Sequence, residues 1–425
     1  MSVTLRFEGK EISAEAGQPL AVALFVAGER VLSRSVKYHR PRGMFCLTGH
    51  CGACLMRVDG RPNQKACQVP CVDGLVAERQ NAFPSAAFDV LGITDFVFAR
   101  GLDHNTMFTS PQILHSVVQK VVRHLAGLGT LPDEASRYGT PEVRHLDAIV
   151  VGAGPAGLAA ATALGRAGRR TLVVDEQLRP GGSYFAEPSD GAAQAARAVT
   201  TAEDAGVELW SRATALGWYP EDTAPGRAPG VLVVGRPDRL AILTADRYIY
   251  ATGGYDQNLL FGDNDRPGVL PARAAGRLLS RDVLVGERPI LVGQGAYVEA
   301  LANALTERGA KVERVDGHEK RLVAARGRSW LAGSWVAGAE LNVAGQRQRV
   351  SGDAVLVWCE PTPASELPRQ HGAAVELRPE AGGFVALADE HGRAAPSVWV
   401  CGDVTGYLGP ASAALAGKRV GEAAA

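Results

Sequence analysis

Four cysteines, Cys46, Cys51, Cys54 and Cys67, lie in the stretch FCLTGHCGACLMRVDGRPNQKACQ with the spacing C-x4-C-x2-C-x12-C. Thiolates are soft ligands, and the spacing of the first three cysteines follows the plant-type pattern for a 2Fe–2S cluster. Each iron needs two thiolates. One tight loop would supply three ligands and a strand beyond it the fourth. Gly49 and Gly52 stand between the ligands, where the backbone must bend and aim N–H groups at sulfur. The competing reading is a zinc knuckle or a set of inert thiols, but zinc sites usually pair two C-x2-C units. Only Cys51 and Cys54 form one here. Cys71, four residues past Cys67, is a neighbouring thiol that could replace it as fourth ligand. His50 beside Cys51 lacks the two Cys–His pairs of a Rieske centre and is read as a loop residue that tunes the cluster by hydrogen bonding.

A second chemistry-bearing pattern is LDAIVVGAGPAGLAAATALGRAGRRTLVVDEQ. It holds Gly152, Gly154 and Gly157 in the order G-x-G-x-x-G, between an apolar strand and an alanine-rich helix. The first glycine allows the tight turn, the second lets a pyrophosphate approach, and the third lets helix and strand pack closely. Negative phosphates then face the helix N-terminus. Asp175, or its neighbour Glu176, ends the next strand, where an acid binds a ribose hydroxyl pair. RPGG, with Gly181 and Gly182, comes just after it, and CGDVTG, with Gly402 and Asp403, lies near the C-terminus.

A weaker version of the same pattern recurs in RPILVGQGAYVEALANALTERGAKVERVD. Gly293 and Gly295 are present, but Val298 stands at the third glycine position, which would loosen packing or reshape the site. Asp316 has the same offset from Gly293 as Asp175 from Gly152, which suits NAD better than NADP. Occupation by NAD or another nucleotide and a degenerate scaffold both stay open.

These elements must be positioned by a chain of 425 residues, too long for one ordinary domain. Lys plus Arg and Asp plus Glu both number 45, so no charge excess points to nucleic acid or an anionic membrane. Five of the seven cysteines lie between Cys46 and Cys71, which favours a reducing compartment over a disulfide framework. The N-terminus shows no signal pattern, and the cytoplasm is the expected location. The most apolar stretch, near Ala148 to Leu164, is broken by glycines and reads as a nucleotide motif, not a membrane span.

The expected fold is an α/β two-dinucleotide-domain flavoprotein with an N-terminal β-rich 2Fe–2S ferredoxin-like domain. Residues 1–90 form the ferredoxin-like domain: a hairpin, the helix PLAVALFVAG, the cysteine loop and a strand. Residues 91–145 form a helical linker, with apolar residues at helical spacing from Ile113 to Leu125 and an exposed stretch LPDEASRYGTPEVRH. The FAD-binding domain takes 146–285 and 366–425, and the NAD-type domain takes 286–365. Arg34, Lys37, Arg40 and Arg42 make a basic run, either a solvated face or a contact for a phosphate or acidic partner. Cys359 and Cys401 are isolated on predicted strands and read as packed thiols, so disulfide reduction is not expected. No Ser–His–Asp set or carboxylate pair stands out, and no catalytic residue is assigned.

The four flavin motifs, in this order, resemble the family of the pyridine nucleotide–disulfide oxidoreductases. There the C-terminal Gly-Asp contacts the flavin ribityl and pyrophosphate, which implies Gly402 and Asp403 here. ATGG, with Thr252 and Gly253, resembles the family's hinge before its second nucleotide domain. RSVKYHRPRG (Arg34 to Gly43), VDGLVAERQNAFPSAAFDV (Val72 to Val90) and NDRPGVL (Asn264 to Leu270) resemble the α subunit of heterotetrameric sarcosine oxidase. They also resemble the flavin subunits of hydrogen cyanide synthase, opine oxidase and dye-linked proline dehydrogenase.

The resemblance implies FAD and a 2Fe–2S cluster in an α-type subunit of a heteromeric amine or amino-acid dehydrogenase or oxidase. It implies a partner, an amino-acid-oxidase-like flavoprotein β subunit that oxidises the C–N bond, and leaves room for further small subunits and an FMN at the interface. The folate-binding C-terminal half of the sarcosine oxidase α subunit is missing from this sequence. The full cysteine set shifts the comparison towards the cyanide synthase and opine oxidase group, where a separate small protein often carries the cluster. Two alternatives remain: a self-sufficient NAD(P)H-dependent flavin/iron–sulfur reductase, and a non-catalytic assembly subunit.

Overall fold

The computed structural model describes residues 1–36, 38–82, 85–86, 88–97, 139–220, 230–327 and 335–425. The expected helix from Ile113 to Leu125, Lys37 and most of the exposed linker lie outside the described residues. Described parts of Met1–Ala135, Asn258–Leu278 and Val283–Trp358 form one compact unit. Those of Ser136–Gln257, Leu279–Asp282 and Cys359–Ala425 form another.

The first unit begins with the predicted hairpin, Ser2–Phe7 paired antiparallel with Lys10–Glu15. Its two-residue loop, Glu8 and Gly9, takes φ of 51° and 80°, the double positive turn that matches strand twist. Alternation in the sequence is met: Leu5 and Phe7 are buried, while Thr4 and Arg6 face out. The sheet runs Lys10–Glu15, Ser2–Phe7, Val76–Glu78, Leu55–Val58, Arg61–Lys65, with one parallel pair between Ser2–Phe7 and Val76–Glu78. The helix Leu20–Val26 lays Leu20 and Leu24 on this sheet, against Leu5, Phe7, Met56 and Ala77. The cysteine loop leaves this core between Pro41–Arg42 and Leu55–Val58.

The same unit holds a parallel sheet in the order Val269–Pro271, Ala354–Val357, Pro289–Val292, Glu313–Val315. The first three strands are buried at every residue, as expected of parallel strands covered on both faces. The helix Ala296–Glu307 connects the last two, and an antiparallel meander, Lys320–Gly327, Val336–Val343 and Gln346–Ser351, follows. Strand pairing draws this sheet back to Val269, whereas the sequence reading begins the second nucleotide domain at 286. VLP is too short to show a period, so only its partner strand reveals it.

Within this unit the ferredoxin-like part packs on the nucleotide-type part. The Arg30 guanidinium lies over Phe25, 4.0 Å from the ring centre, and over Trp335 at 5.3 Å. Arg40 and Arg42 both reach Asp265, at 3.5 and 3.2 Å. Arg34 is buried and donates to the Ala86 and His39 carbonyls. Arg34 is therefore an internal fastening, while Arg40 and Arg42 stay exposed or half-exposed and are held there by an acid far along the chain. Charge content alone could not show that their acceptors lie far along the chain.

The second unit is built on an eight-stranded sheet. Glu208–Trp210, Thr171–Val174, Glu142–Val151, Leu240–Tyr250 and Val398–Val400 pair in parallel. Leu240–Tyr250 pairs in parallel with Glu142–Val151 along almost its whole length, and on its other edge its start pairs antiparallel with Val231–Gly235, which pairs on to Thr214–Tyr219. The helix Pro155–Arg166 covers one face, and the final helix Pro410–Ala424 packs across it. Gly417 and Gly421 allow that crossing. A Cβ on Gly417 would stand 2.0 Å from the Ala156 carbonyl oxygen, and one on Gly421 2.4 Å from that of Ala160.

Candidate cofactor sites

The four cysteine sulfurs converge. Cys46 and Cys51 Sγ are 3.2 Å apart, and Cys67 is close enough to Cys46 and Cys54 to perturb both thiols. The Thr48 N–H adds a donor to Cys46 Sγ at 3.4 Å. Interactions with their neighbours lower the Cys46 and Cys54 thiols, and the same interactions push Cys51 and Cys67 up. Four soft donors gathered in one place fit a two-iron cluster with two thiolates on each iron. Among the described residues, no group of three or more His, Cys, Asp or Glu is arranged around a single metal ion.

Details differ from expectation. Cys67 lies in the 3-10 turn Ala66–Gln68, directly after the strand Arg61–Lys65 rather than on a strand. Gly49 takes φ 78°, as a sharp bend demands, but the left-handed partner in this loop is Leu47 at 62°, not Gly52. Leucine gives no sequence signal for that geometry. His50 is exposed, and its Nδ1 is 3.4 Å from Thr48 Oγ1. Cys71 is fully buried in the ferredoxin-like core, its thiol pushed up to about 11 by burial.

In the second unit the glycine motif forms a tight cradle. Gly152 takes φ 103°, and a Cβ there would stand 2.3 Å from the Ala251 carbonyl oxygen. A Cβ on Gly157 would stand 1.9 Å from the Gly152 oxygen. Gly154 is different: the nearest atom to its Cβ position is Gly182 Cα, at 3.9 Å, so a side chain would fill space left open above the helix start. Gly154 caps that helix without a side-chain bond, which leaves the first N–H groups for an anion. Gly181 and Gly182 close over the cradle; Gly181 N donates to the Ala153 carbonyl. Thr252 Oγ1 donates to the Ala364 carbonyl, and Gly253 takes φ 73° beside open space. Gly402 sits against Ala156, and buried Asp403 accepts from Leu408 N at 3.0 Å. The predicted residues of this site are thus brought to one place.

Asp175 spends its carboxylate on the backbone. Oδ2 accepts from Ala153 N at 2.6 Å and Oδ1 from Gln177 N at 2.7 Å. Glu176 beside it is half-buried. Cys401 is buried and its thiol pushed up to about 12; burial raises Cys359 as well. Both follow their strands rather than lying on them, ending just after Val398–Val400 and Ala354–Val357.

The second glycine loop borders a cavity of about 420 Å³ lined by Gly293, Gln294, Gly295, Glu299, Arg314 and Asp316 among others. Gly295 faces open space and Val298 is fully buried. Asp316 Oδ1 accepts from the His318 and Lys320 N–H groups, which holds its carboxyl below the usual range. The sequence reading missed Glu299, in the first helical turn, which Arg314 grips with both guanidinium nitrogens. A carboxylate there competes with a phosphate for the helix N-terminus.

Comparison with known proteins agrees with this geometry. Residues 1–82 match the 2Fe-2S iron-sulfur cluster binding domain, and residues 146–418 match the pyridine nucleotide-disulphide oxidoreductase family. The chain is 32% identical over 387 residues to the sarcosine oxidase alpha subunit of Rhizobium meliloti (strain 1021), covering 84% of this chain and 39% of the relative. It is 25% identical over 329 residues to an opine oxidase subunit of Agrobacterium tumefaciens (strain Ach5), covering 65% of each. The crystal structure of L-proline dehydrogenase from P. horikoshii shares the fold at 21% identity and TM-score 0.73, covering 99% of this chain and 72% of that one. The chain therefore spans about two fifths of the first relative's length. The two domain matches support both cofactors read from the motifs, a 2Fe–2S cluster and FAD. By the match over residues 146–418, the chain belongs to the pyridine nucleotide-disulphide oxidoreductase family, and its N-terminus is a 2Fe-2S domain.

Proposed function

We propose that this chain is the electron-transferring α-type subunit of a heteromeric amine or amino-acid dehydrogenase or oxidase. The carrying observation is its likeness to sarcosine oxidase alpha subunits, one of which it matches along the whole of this chain and so over both cofactor-bearing parts. FAD accepts an electron pair and can release single electrons, which a 2Fe–2S cluster carries one at a time. In this reading Cys46, Cys51, Cys54 and Cys67 ligate the irons. Gly152, Gly154, Gly157, Gly181 and Gly182 admit the FAD pyrophosphate to the helix start. Asp175, which also braces the loop, or its neighbour Glu176 meets the ribose hydroxyls. Thr252 and Gly253 line the same space, and Gly402 and Asp403 meet the flavin ribityl and pyrophosphate, as the family resemblance implies.

The C–N bond is oxidised on a partner, a flavoprotein β subunit of the amino-acid-oxidase type, with an FMN at the interface, in the cytoplasm. No helix among the described residues is long and apolar enough to cross a membrane. Glu299 at the start of its helix weakens the case for NAD at Gly293, Gly295 and Asp316, so hydride entry there is not part of this reading.

The test is anaerobic. The purified chain is scanned for flavin and cluster absorbance, then mixed with NADH, then with dithionite. The expected result is two chromophores that dithionite bleaches and NADH does not, with bleaching by an amine only after the β subunit is added. Rapid bleaching by NADH alone would overturn the subunit reading in favour of a reductase.

A further inference from the structure

Arg277 lies on the helix Ala272–Leu279, directly after the edge strand of the nucleotide-type sheet, and is only 7% exposed. Its Nη1 donates to the carbonyl oxygen of Cys46 at 2.9 Å. Cys46 Sγ lies 3.2 Å from Cys51 Sγ and accepts from the Thr48 N–H at 3.4 Å. A guanidinium stays charged in proteins, and it is held here by a helix outside the ferredoxin-like domain. Nothing in the C-x4-C-x2-C pattern points to it, because it lies far along the chain from the cysteine it grips.

We propose that Arg277 is a positioning residue for the iron–sulfur cluster: it anchors the Cys46 peptide and its charge raises the cluster's reduction potential. The inference rests on the cluster reading of the four cysteines. Reduction adds one electron and so one negative charge to the cluster, while Arg277 keeps its own charge throughout. Cluster potentials respond to nearby net charge, hydrogen bonding and solvent exposure. A buried cation beside a ligand's peptide acts through a medium less screening than water, so it favours the more negative, reduced state. Its hydrogen bond also fixes the carbonyl of the first ligand, and through it the loop from Cys46 to Cys54.

The test compares Arg277→Gln, which keeps a donor and drops the charge, with Arg277→Lys, which keeps the charge. Each is purified with its cluster and titrated in a potential series, with the reduced cluster read by electron paramagnetic resonance. At a fixed applied potential, R277Q should show a reduced-to-oxidised ratio lower by about tenfold, a shift of about 59 mV for one electron. R277K should stay near the parent protein. Equal potentials in R277Q and the parent overturn the proposal. So do equal falls in both variants, or loss of iron from both, since each makes the contact one of packing alone. A parent protein with no 2Fe–2S resonance would instead sink the cluster reading itself.

Discussion

Substituting Gly417 with alanine tests how the FAD-type cradle is held. On an exposed helix the change would help, since alanine is better than glycine in a helix interior by about 1 kcal/mol. Here the added Cβ would stand 2.0 Å from the Ala156 oxygen and 2.6 Å from its carbonyl carbon and Cα. Non-bonded carbons settle at about 3.5–4.0 Å, so the two helices must part by roughly 1 Å or more. The obstructing atoms are backbone and cannot rotate away. That places the overpacking cost near the top of the usual range, about 3 kcal/mol. The net effect is a loss of about 2 kcal/mol, or roughly thirtyfold in the folding equilibrium. Ala156 is in the first turn of the helix that begins at the Gly154 cradle, so flavin retention should fall with stability. Urea unfolding followed by circular dichroism reads the first quantity, and flavin fluorescence released on dilution reads the second. Lys418→Ala, on an exposed neighbouring position, is the control and should change stability by less than about 0.5 kcal/mol. A G417A protein as stable as its parent, with flavin equally well held, would refute the reasoning.

Alanine at Cys46, Cys51, Cys54 or Cys67 should abolish the visible absorbance of the cluster. Cys71→Ala should keep full iron content at a stability cost of about 1 kcal/mol, and iron loss from C71A would contradict the assignment. His371 is buried, stacked 3.8 Å from Trp218 and bonded through Nδ1 to Tyr250 Oη at 2.7 Å; burial lowers its pKa to about 4. An unfolded histidine titrates near about 6.5, so the unfolded state takes the proton first. The neutral ring's contribution is whole above about pH 6.5 and fades as pH falls towards 4, by at most about 3 kcal/mol and roughly half that with solvent screening. Urea midpoints of the parent and His371→Gln at pH 7 and near pH 4.5 should therefore converge on acidification, and a constant gap would argue against a buried neutral ring.

Local patterns made much of this protein legible. The cysteine spacing, the glycine loops and the acid ending each following strand are short-range features, because a cofactor's tight approach constrains neighbouring residues. Period-two alternation gave the first strand for the same reason, and Leu5 and Phe7 are buried as it requires. Other decisions came from residues distant in the chain. Asp175 turned out to brace Ala153, a bond visible only once the strand end and the loop are adjacent. The basic run divides, Arg34 buried on two backbone carbonyls and the more exposed Arg40 and Arg42 paired with Asp265, although charged residues carry no label for their partners. Gly417 and Gly421 look like ordinary helix glycines until another helix's carbonyls stand against them. Arg277 belongs to the cysteine site only because a helix from another part of the chain packs there. The motifs name the chemistry because a cofactor's shape constrains consecutive residues. Burial, partner choice and close helix approach depend on which surfaces meet, and only the tertiary structure decides that.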